Sequence, residues 1–156
     1  MYQTLSKIRE LVKAEVGSKI RTYFLDDPIL INMSSLPCIA IVPVRTEIEV
    51  LDNARDKYTH FIDVFLIINA LTEVNKAREE MVGMQFLTKL MEEKESTGIL
   101  KENTILYAVR NNLNLAANWK IENVGTVDYG VRVRSEQVVT LEAWTRLSVS
   151  RTVNRP

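Results

Sequence analysis

The side chains best suited to catalysis or metal binding are scarce in this chain. His60 is the only histidine and Cys38 the only cysteine, so a site that needs an imidazole or a thiol must use them. Cys38 follows Pro37 in an apolar strand, where a small buried residue is expected. His60 lies close to Phe61 and Asp63 in a second predicted strand. We interpret both residues as structural rather than catalytic or metal-ligating.

Paired carboxylates are the next candidates for acid–base chemistry. Glu79–Glu80 and Glu92–Glu93 are adjacent in sequence, but adjacent helical residues point in different directions and cannot converge on one bond. No metalloprotease, nucleophile-elbow, Walker or Rossmann motif is present. One cysteine also excludes an intrachain disulfide and the paired-cysteine metal frameworks. The residues therefore predict a protein that is not an enzyme and that needs no metal or cofactor.

Nucleic-acid binding is an alternative suggested by the C-terminal third of the chain. Basic and aromatic residues alternate there on predicted strands, as they do in platforms that bind single strands. Glu136 and Glu142 interrupt the patch, and the 20 basic and 20 acidic side chains cancel, so no long-range attraction for DNA is expected. We expect contact with DNA only as passing cargo. The residues concerned are Arg132, Arg134, Arg146, Arg151, Arg155, Tyr129 and Trp144.

Two amphipathic helices are predicted among the elements that must position these side chains. Apolar residues recur at three- and four-residue steps over residues 4–17 and again over residues 73–95. Capping residues flank each pattern. The predicted caps are Thr4 and Gly17 for the first helix and Thr72 and Gly98 for the second.

A long β-hairpin is predicted between the two helices. Residues 38–50 and 57–70 are rich in β-branched side chains and are separated by a polar turn, with Pro43 marking an edge or a bulge. The second strand is apolar on both faces, as expected of a central strand. Residues 22–36 are predicted to form a loop. This loop contains too many apolar residues to be fully exposed to solvent. We expect this loop to lie across the domain or against a neighbour.

The C-terminal half is predicted to be β-structure. Strands are expected at about residues 103–110, 118–124 and 129–134, followed by one long last strand. In that last strand one face is apolar and the other carries charges and an exposed tryptophan, Trp144. The predicted fold class is α+β: a mainly antiparallel sheet with a long β-hairpin, packed against an N-terminal helix and a central amphipathic helix.

The chain is expected to form a single domain over residues 1–150, with a short basic tail at residues 151–156. A length of 156 residues is typical of one domain with a single hydrophobic core. The longest strongly apolar stretch, Val64 to Ile68, is far too short to cross a bilayer, and the first residues do not form a signal peptide. Production in a reducing cytoplasm, without contact with a membrane, is therefore expected.

Formal charge is distributed unevenly along the chain although it sums to zero. The net charge is +3 over residues 1–21, −2 over 22–44, −4 over 45–102 and +3 over 103–156. Basic and acidic surfaces on one protomer suit head-to-tail pairing of identical subunits.

The order of these elements resembles that of the tail terminator (tail completion) proteins of long-tailed bacteriophages. The resemblance is carried by the segment LPCIAIVP at residues 36–43, the strand Lys57–Ala70 and the helix Thr72–Ser96. It implies an α+β virion protein without catalytic residues, assembled in the host cytoplasm. It also implies a hexameric ring at the head-proximal end of the tail. Such a ring ends polymerisation of the tail tube protein and provides the surface for head–tail joining, where it meets the head–tail connector protein.

Two surfaces are candidates for contacts with neighbouring subunits or partners. One is the charged tip of the predicted hairpin, and the other is the polar face of the last strand. Other readings remain open: another tail or neck component, such as a tube or head-completion subunit, or a small cytoplasmic enzyme or nucleic-acid-binding module. The candidate interface residues are Glu47, Glu49, Asp52, Arg55, Asp56, Glu142, Trp144 and Arg146.

Overall fold

A computed structural model describes residues 1–70, 82–135 and 137–155. The described residues form an α+β fold with one five-stranded sheet, which confirms the predicted fold class. The helices are α1 (Tyr2–Val16), α2 (Val82–Glu92) and α3 (Ile105–Arg110). The strands are β1 (Thr22–Phe24), β2 (Cys38–Val50), β3 (Arg55–Asn69), β4 (Lys120–Ser135) and β5 (Val138–Asn154).

The sheet is built around the predicted hairpin. Its strand order is β1-β2-β3-β5-β4, and all neighbours are antiparallel except β1 and β2. β2 has the predicted bounds, and its register with β3 shifts between Pro43 and Arg45, which confirms the predicted irregularity. β1 pairs only with residues 38–40, so β2 runs along the edge of the described sheet from Ile41 onward.

The main core lies between one face of the sheet and the helices. Side chains alternate across a strand, so Ile62, Val64 and Leu66 of β3 all point toward this core. The apolar stripe of α1 belongs to the same core, as its periodicity predicted. Burial of this apolar area is the main favourable term that holds the helices on the sheet. The stripe consists of Leu5, Ile8, Val12 and Val16.

The opposite face of the sheet, called here the outer face, is covered only in part. Ile31 and Leu36 bury Ile67 of β3 in a second, smaller cluster that also includes Cys38 and Ala40 of β2. Residues 25–36, called here the crossing loop, therefore lie across the sheet of their own chain, one of the two placements expected from the sequence.

Residues 105–110 form helix α3, so the predicted strand at 103–110 is wrong. Thr104 caps this helix, and four of its six residues are buried against the main core. A short apolar run is compatible with either a strand or a helix. Here the run packs against α1 and α2, which favours the helix. The two predicted strands at 118–124 and 129–134 are one strand, β4, with bulges in its pairing to β5.

The ends of the long helices differ from the predicted caps. Helix α1 begins after Met1, so Thr4 is buried inside it, and Gly17 continues in a right-handed conformation into a 3-10 turn. Helix α2 ends at Glu92, and Gly98, with a φ of 83°, belongs to a separate turn. The predicted start of this helix, including its cap, lies outside the described residues.

The C-terminal residues are not a free tail. Strand β5 continues through Asn154 and pairs there with Arg55, because the long hairpin strand offers a partner over its whole length. The Arg155 guanidinium then donates to Asp56 at 2.9 Å. Residues 151–154, which were predicted as part of a short basic tail, therefore belong to the sheet.

Replacing Thr104 by alanine should destabilise the fold through helix α3. The Thr104 hydroxyl accepts from the Tyr107 N–H at 3.2 Å and donates to the Lys101 carbonyl at 2.9 Å. Losing such a cap lowers the free energy of unfolding by about 1–2 kcal/mol, measured by urea denaturation. Thr104→Ser keeps the hydroxyl and should stay close to the unsubstituted protein. Equal losses in the two variants would show that the hydroxyl does not act as a cap.

Candidate functional site

The one thiol of the chain lies inside the fold. Cys38 is fully buried beneath the crossing loop, and burial raises the pKa of its thiol to about 12. A thiol that does not ionise near neutral pH is a poor nucleophile and a poor metal ligand.

The one imidazole is packed as a structural group. His60 stacks on Trp119 with 4.2 Å between ring centroids, and its Nδ1 lies 2.9 Å from the Thr46 hydroxyl. The Arg151 guanidinium also packs on the Trp119 ring, 5.0 Å from its centroid. Burial lowers the pKa of His60, and the positive charges of the N-terminus and Arg151 lower it further. His60 is therefore neutral near pH 7 and joins β3 to the start of β4.

Within the described residues, no three His, Cys, Asp or Glu side chains come together as a metal site would require. No helix in the same part of the chain is both long enough and apolar enough to cross a membrane.

The predicted hairpin tip, residues 45–57, carries charges that mostly form ion pairs within the chain. Arg55 reaches Asp52 at 2.7 Å, and Arg45 reaches Glu47 at 2.8 Å. Hydrogen bonds from Arg55 and Arg155 lower the pKa of Asp52 and Asp56, respectively. Most of the tip charges thus have a partner within the chain, although the pairs Arg45–Glu47 and Arg55–Asp52 remain about half-exposed.

The hairpin also carries an apolar surface that sequence reasoning missed. Ile48 and Val50 are 60% and 64% exposed, and they lie on the face opposite Glu47 and Glu49. Alternation along β2 is visible in the sequence, but a local pattern does not show whether its apolar face is covered. The helices do not extend this far along the hairpin, so these side chains stay in solvent.

Glu142 does not lie on an exposed face, and its assignment to an exposed surface of the last strand is wrong. Its side chain is 3% exposed and accepts from the Thr140 hydroxyl at 2.7 Å and from Arg134 at 2.8 Å. The crossing loop closes over this end of the outer face and excludes water from the carboxylate.

Arg134 connects the crossing loop to the sheet. Its side chain is only 4% exposed, and besides Glu142 it binds Asp27 at 2.9 Å and the Pro28 carbonyl at 2.8 Å. Arg132 adds an exposed contact to Asp27 at 3.2 Å. The basic residues of β4 that suggested a nucleic-acid platform are therefore partners of acidic groups in their own chain.

The other two predicted residues of the last strand border an open part of the outer face. Trp144 is half-buried and stacks on Phe65 with 5.8 Å between ring centroids. Arg146 is half-exposed and forms a bidentate ion pair with Asp63: its Nε and Nη2 donate to the two carboxylate oxygens at 2.7 and 2.8 Å. A Cβ on Gly130 would lie 3.3 Å from the Trp144 ring, so the absence of a side chain there lets the indole lie across β4.

Two adjoining hollows flank the indole and are called here the Trp144 groove. Their volumes are about 330 Å³ and 200 Å³, and both are lined by Trp144. Phe65 and Gly130 line the larger hollow, and Asp128 and Arg146 line the smaller one. Because the arginines around this face are paired with carboxylates, the groove suits an apolar protein surface better than a polyanion.

No protein-family model matches the chain, and no curated protein matches it closely enough to count as similar.

Replacing Arg134 by leucine should lower the free energy of unfolding far more than replacing Arg132 by leucine. The first change leaves Glu142 buried without a counter-charge and should lower the free energy of unfolding by roughly 3–5 kcal/mol. Arg132 binds the same Asp27 but is half-exposed, so Arg132→Leu should lower it by less than about 1 kcal/mol. Urea denaturation of both variants measures the difference, and similar losses would contradict the anchoring role of Arg134.

Stability should decrease as the pH falls through the range in which histidine titrates. The folded state lowers the pKa of His60 below the value of about 6.5 expected for the unfolded chain, so the unfolded state binds more protons in this range. The stabilisation is present above that value and is lost as the pH falls through the folded-state pKa.

Urea denaturation at about pH 7.5 and about pH 5.5 tests this prediction. The unsubstituted protein should be less stable at the lower pH, and His60→Phe should remove most of that difference. If the stability of the His60→Phe variant depends on pH as strongly as that of the unsubstituted protein, groups other than His60 cause the dependence.

Proposed function

We propose that the protein is a structural subunit that assembles with copies of itself and acts as a tail terminator of a long-tailed bacteriophage. The observation that carries this proposal is the exposure of large apolar side chains on elements that are anchored to the sheet. Ile29 and Leu30 stand on the crossing loop, and Ile48 and Val50 stand on the hairpin. Exposed apolar residues supported in this way are typical of surfaces that are buried on assembly.

The resemblance described from the sequence supplies the identity of the assembly. In this proposal six subunits form a ring in the virion, at the head-proximal end of the tail tube. The ring ends polymerisation of the tube protein, offers its other side to the head–tail connector and lets DNA pass through its lumen. The chain has no catalytic role in this arrangement.

The hairpin is the element best suited to reach a partner outside the ring. It protrudes beyond the helices, and its charges Asp52, Arg55 and Asp56 are paired within the chain. Its apolar face supplies Ile48 and Val50 as contact residues. We assign this face to docking on the tail tube.

Electron microscopy of the purified protein tests the proposal directly. Rings with six-fold symmetry support a terminator, and their addition to growing tail tubes should limit tube length. Open-ended tubes formed by the protein alone would instead favour a tube subunit. A particle that stays monomeric at high concentration would contradict every assembly function.

Replacing Ile48 and Val50 together by serine should leave rings intact and weaken their binding to tail tubes at least tenfold. Both side chains are exposed, so the fold loses little by the change. Ile99→Ser is the matched control, because Ile99 is also 64% exposed but lies in the turn after α2. Co-sedimentation of rings with tubes measures the effect, and normal binding by the double variant would refute the docking role.

A further inference from the structure

Strand β2 has an open edge over its last seven residues, 44–50. β1 pairs only with Cys38, Ile39 and Ala40, and residues 44–50 are all exposed. No backbone hydrogen bond joins these residues to any described residue outside the β2–β3 pair. A row of unpaired N–H and C=O groups along such an edge is a template for one more strand.

The register of the hairpin shows which backbone groups point outward. The Leu51 N–H donates to the Arg55 carbonyl at 3.1 Å, and continuation of the β2–β3 register places these two residues opposite each other. In an antiparallel pair, residues that bond to the partner strand alternate with residues that do not. Thr46, Ile48 and Val50 are therefore the residues whose N–H and C=O groups face away from β3.

The edge is regular where these outward groups lie. Proline and bulges often block an edge, and here Pro43 and the bulge beside it both come before Arg45. Residues 45–50 contain no proline, glycine or lysine, and they pair with β3 without a further shift of register. A partner strand can therefore align with the whole of this segment.

The side chains of the segment alternate between a charged side and an apolar side. Arg45, Glu47 and Glu49 lie on the side of the outer face. Ile48 and Val50 lie on the opposite side and are 60% and 64% exposed. Cross-strand pairs of opposite charge and of apolar residues stabilise a sheet. The pattern therefore favours a partner strand in which basic and apolar residues alternate.

Ion pairs within the chain leave the charged side acidic. Arg45 binds Glu47, and Lys57, which lies opposite Glu49, binds Glu122. The side chains of the segment on this side are one arginine and two glutamates, so they keep one negative charge. A basic residue beside Glu49 compensates that charge.

Pairing of this edge with the same edge of a second copy is disfavoured. Hydrogen bonding requires the outward-facing residues of one copy to lie opposite those of the other. Antiparallel registers centred on Glu47 or on Ile48 then place Glu47 opposite Glu47 or opposite Glu49, and like charges directly opposite destabilise a pair. A register centred on Thr46 runs into the bulge. These charges favour a strand of different sequence.

We infer that residues 45–50 of β2 bind an extended segment of a partner protein as an additional strand, and that basic and apolar residues alternate in this segment. Main-chain hydrogen bonds provide the affinity in this mode of recognition, and alternate side chains provide the specificity. The inference rests on the proposed function for the source of the segment, the tail tube protein, and specifies how the hairpin binds it.

A synthetic peptide tests the edge directly. The probe is a short acetylated peptide of alternating lysine and valine with a fluorophore, and fluorescence anisotropy measures its binding to the protein. Ile48→Pro removes one outward N–H and should weaken binding at least tenfold. Proline is tolerated at such edge positions, so the fold should persist. Ile48→Ala, the matched control, shortens the side chain but keeps the N–H and should bind more tightly than Ile48→Pro. Equal binding by the two variants would overturn the inference.

Changes to the probe keep the test independent of the folding of that variant. The same peptide with a methylated backbone cannot donate main-chain hydrogen bonds and should not bind. A peptide with glutamate in place of lysine should bind at least tenfold more weakly than the lysine peptide. Glu47→Lys with Glu49→Lys should reverse this preference. Binding that methylation does not affect, or a preference that the charge reversal leaves unchanged, would overturn the inference.

Docking on tail tubes separates this inference from the proposed function. Rings of the Ile48→Pro variant should form normally and fail to bind tubes. Normal docking of those rings would overturn the edge contact and leave the terminator function standing. If the unsubstituted protein forms no rings, the terminator function is overturned and the peptide result decides the edge by itself. Self-association that Ile48→Pro abolishes would make a second copy the occupant and overturn the inference.

Discussion

Burial of both faces of strand β3 is the constraint on which the rest of the structure depends. On one face, Ile62, Val64 and Leu66 require an apolar cover, and the helices provide it. On the other face, Ile67 requires one as well, but the chain supplies only the crossing loop. Since this loop reaches only one end of the outer face, Phe65 remains accessible beside Trp144. Incomplete cover of the central strand therefore creates the candidate binding surface.

The same incomplete cover explains where the buried charges lie. The crossing loop carries Asp27, which needs a counter-charge once the loop lies on the sheet, and Arg134 provides it while also neutralising Glu142. Fixing the loop in this way leaves Ile29 and Leu30 in solvent. A cluster of basic residues near the C-terminus thus serves an internal role, and the outer face keeps a balanced charge. Its accessible part is aromatic, which suits a protein partner.

Periodicity predicted the elements in which the apolar pattern continues along the whole length. Helix α1 and strands β2 and β3 each have a continuous apolar face, so a count of residues locates them well. Helix α3 was predicted as a strand because six residues are too few for either period to dominate. The end of β5 was predicted as a tail because its partner, Arg55 to Tyr58, is distant in sequence. Both errors come from contacts that a local pattern does not contain.

The sequence by itself determined the α+β class, the hairpin, the apolar nature of the crossing loop and the scarcity of groups that could do chemistry. These properties follow from residue types and spacing within short windows. Only the tertiary structure decided which side chains are exposed. Glu142 and Trp144 share one face of β5, yet the loop buries the first and leaves the second beside an open groove. The physical reason is that exposure depends on what covers a face, and that cover comes from residues more than 100 positions away in sequence.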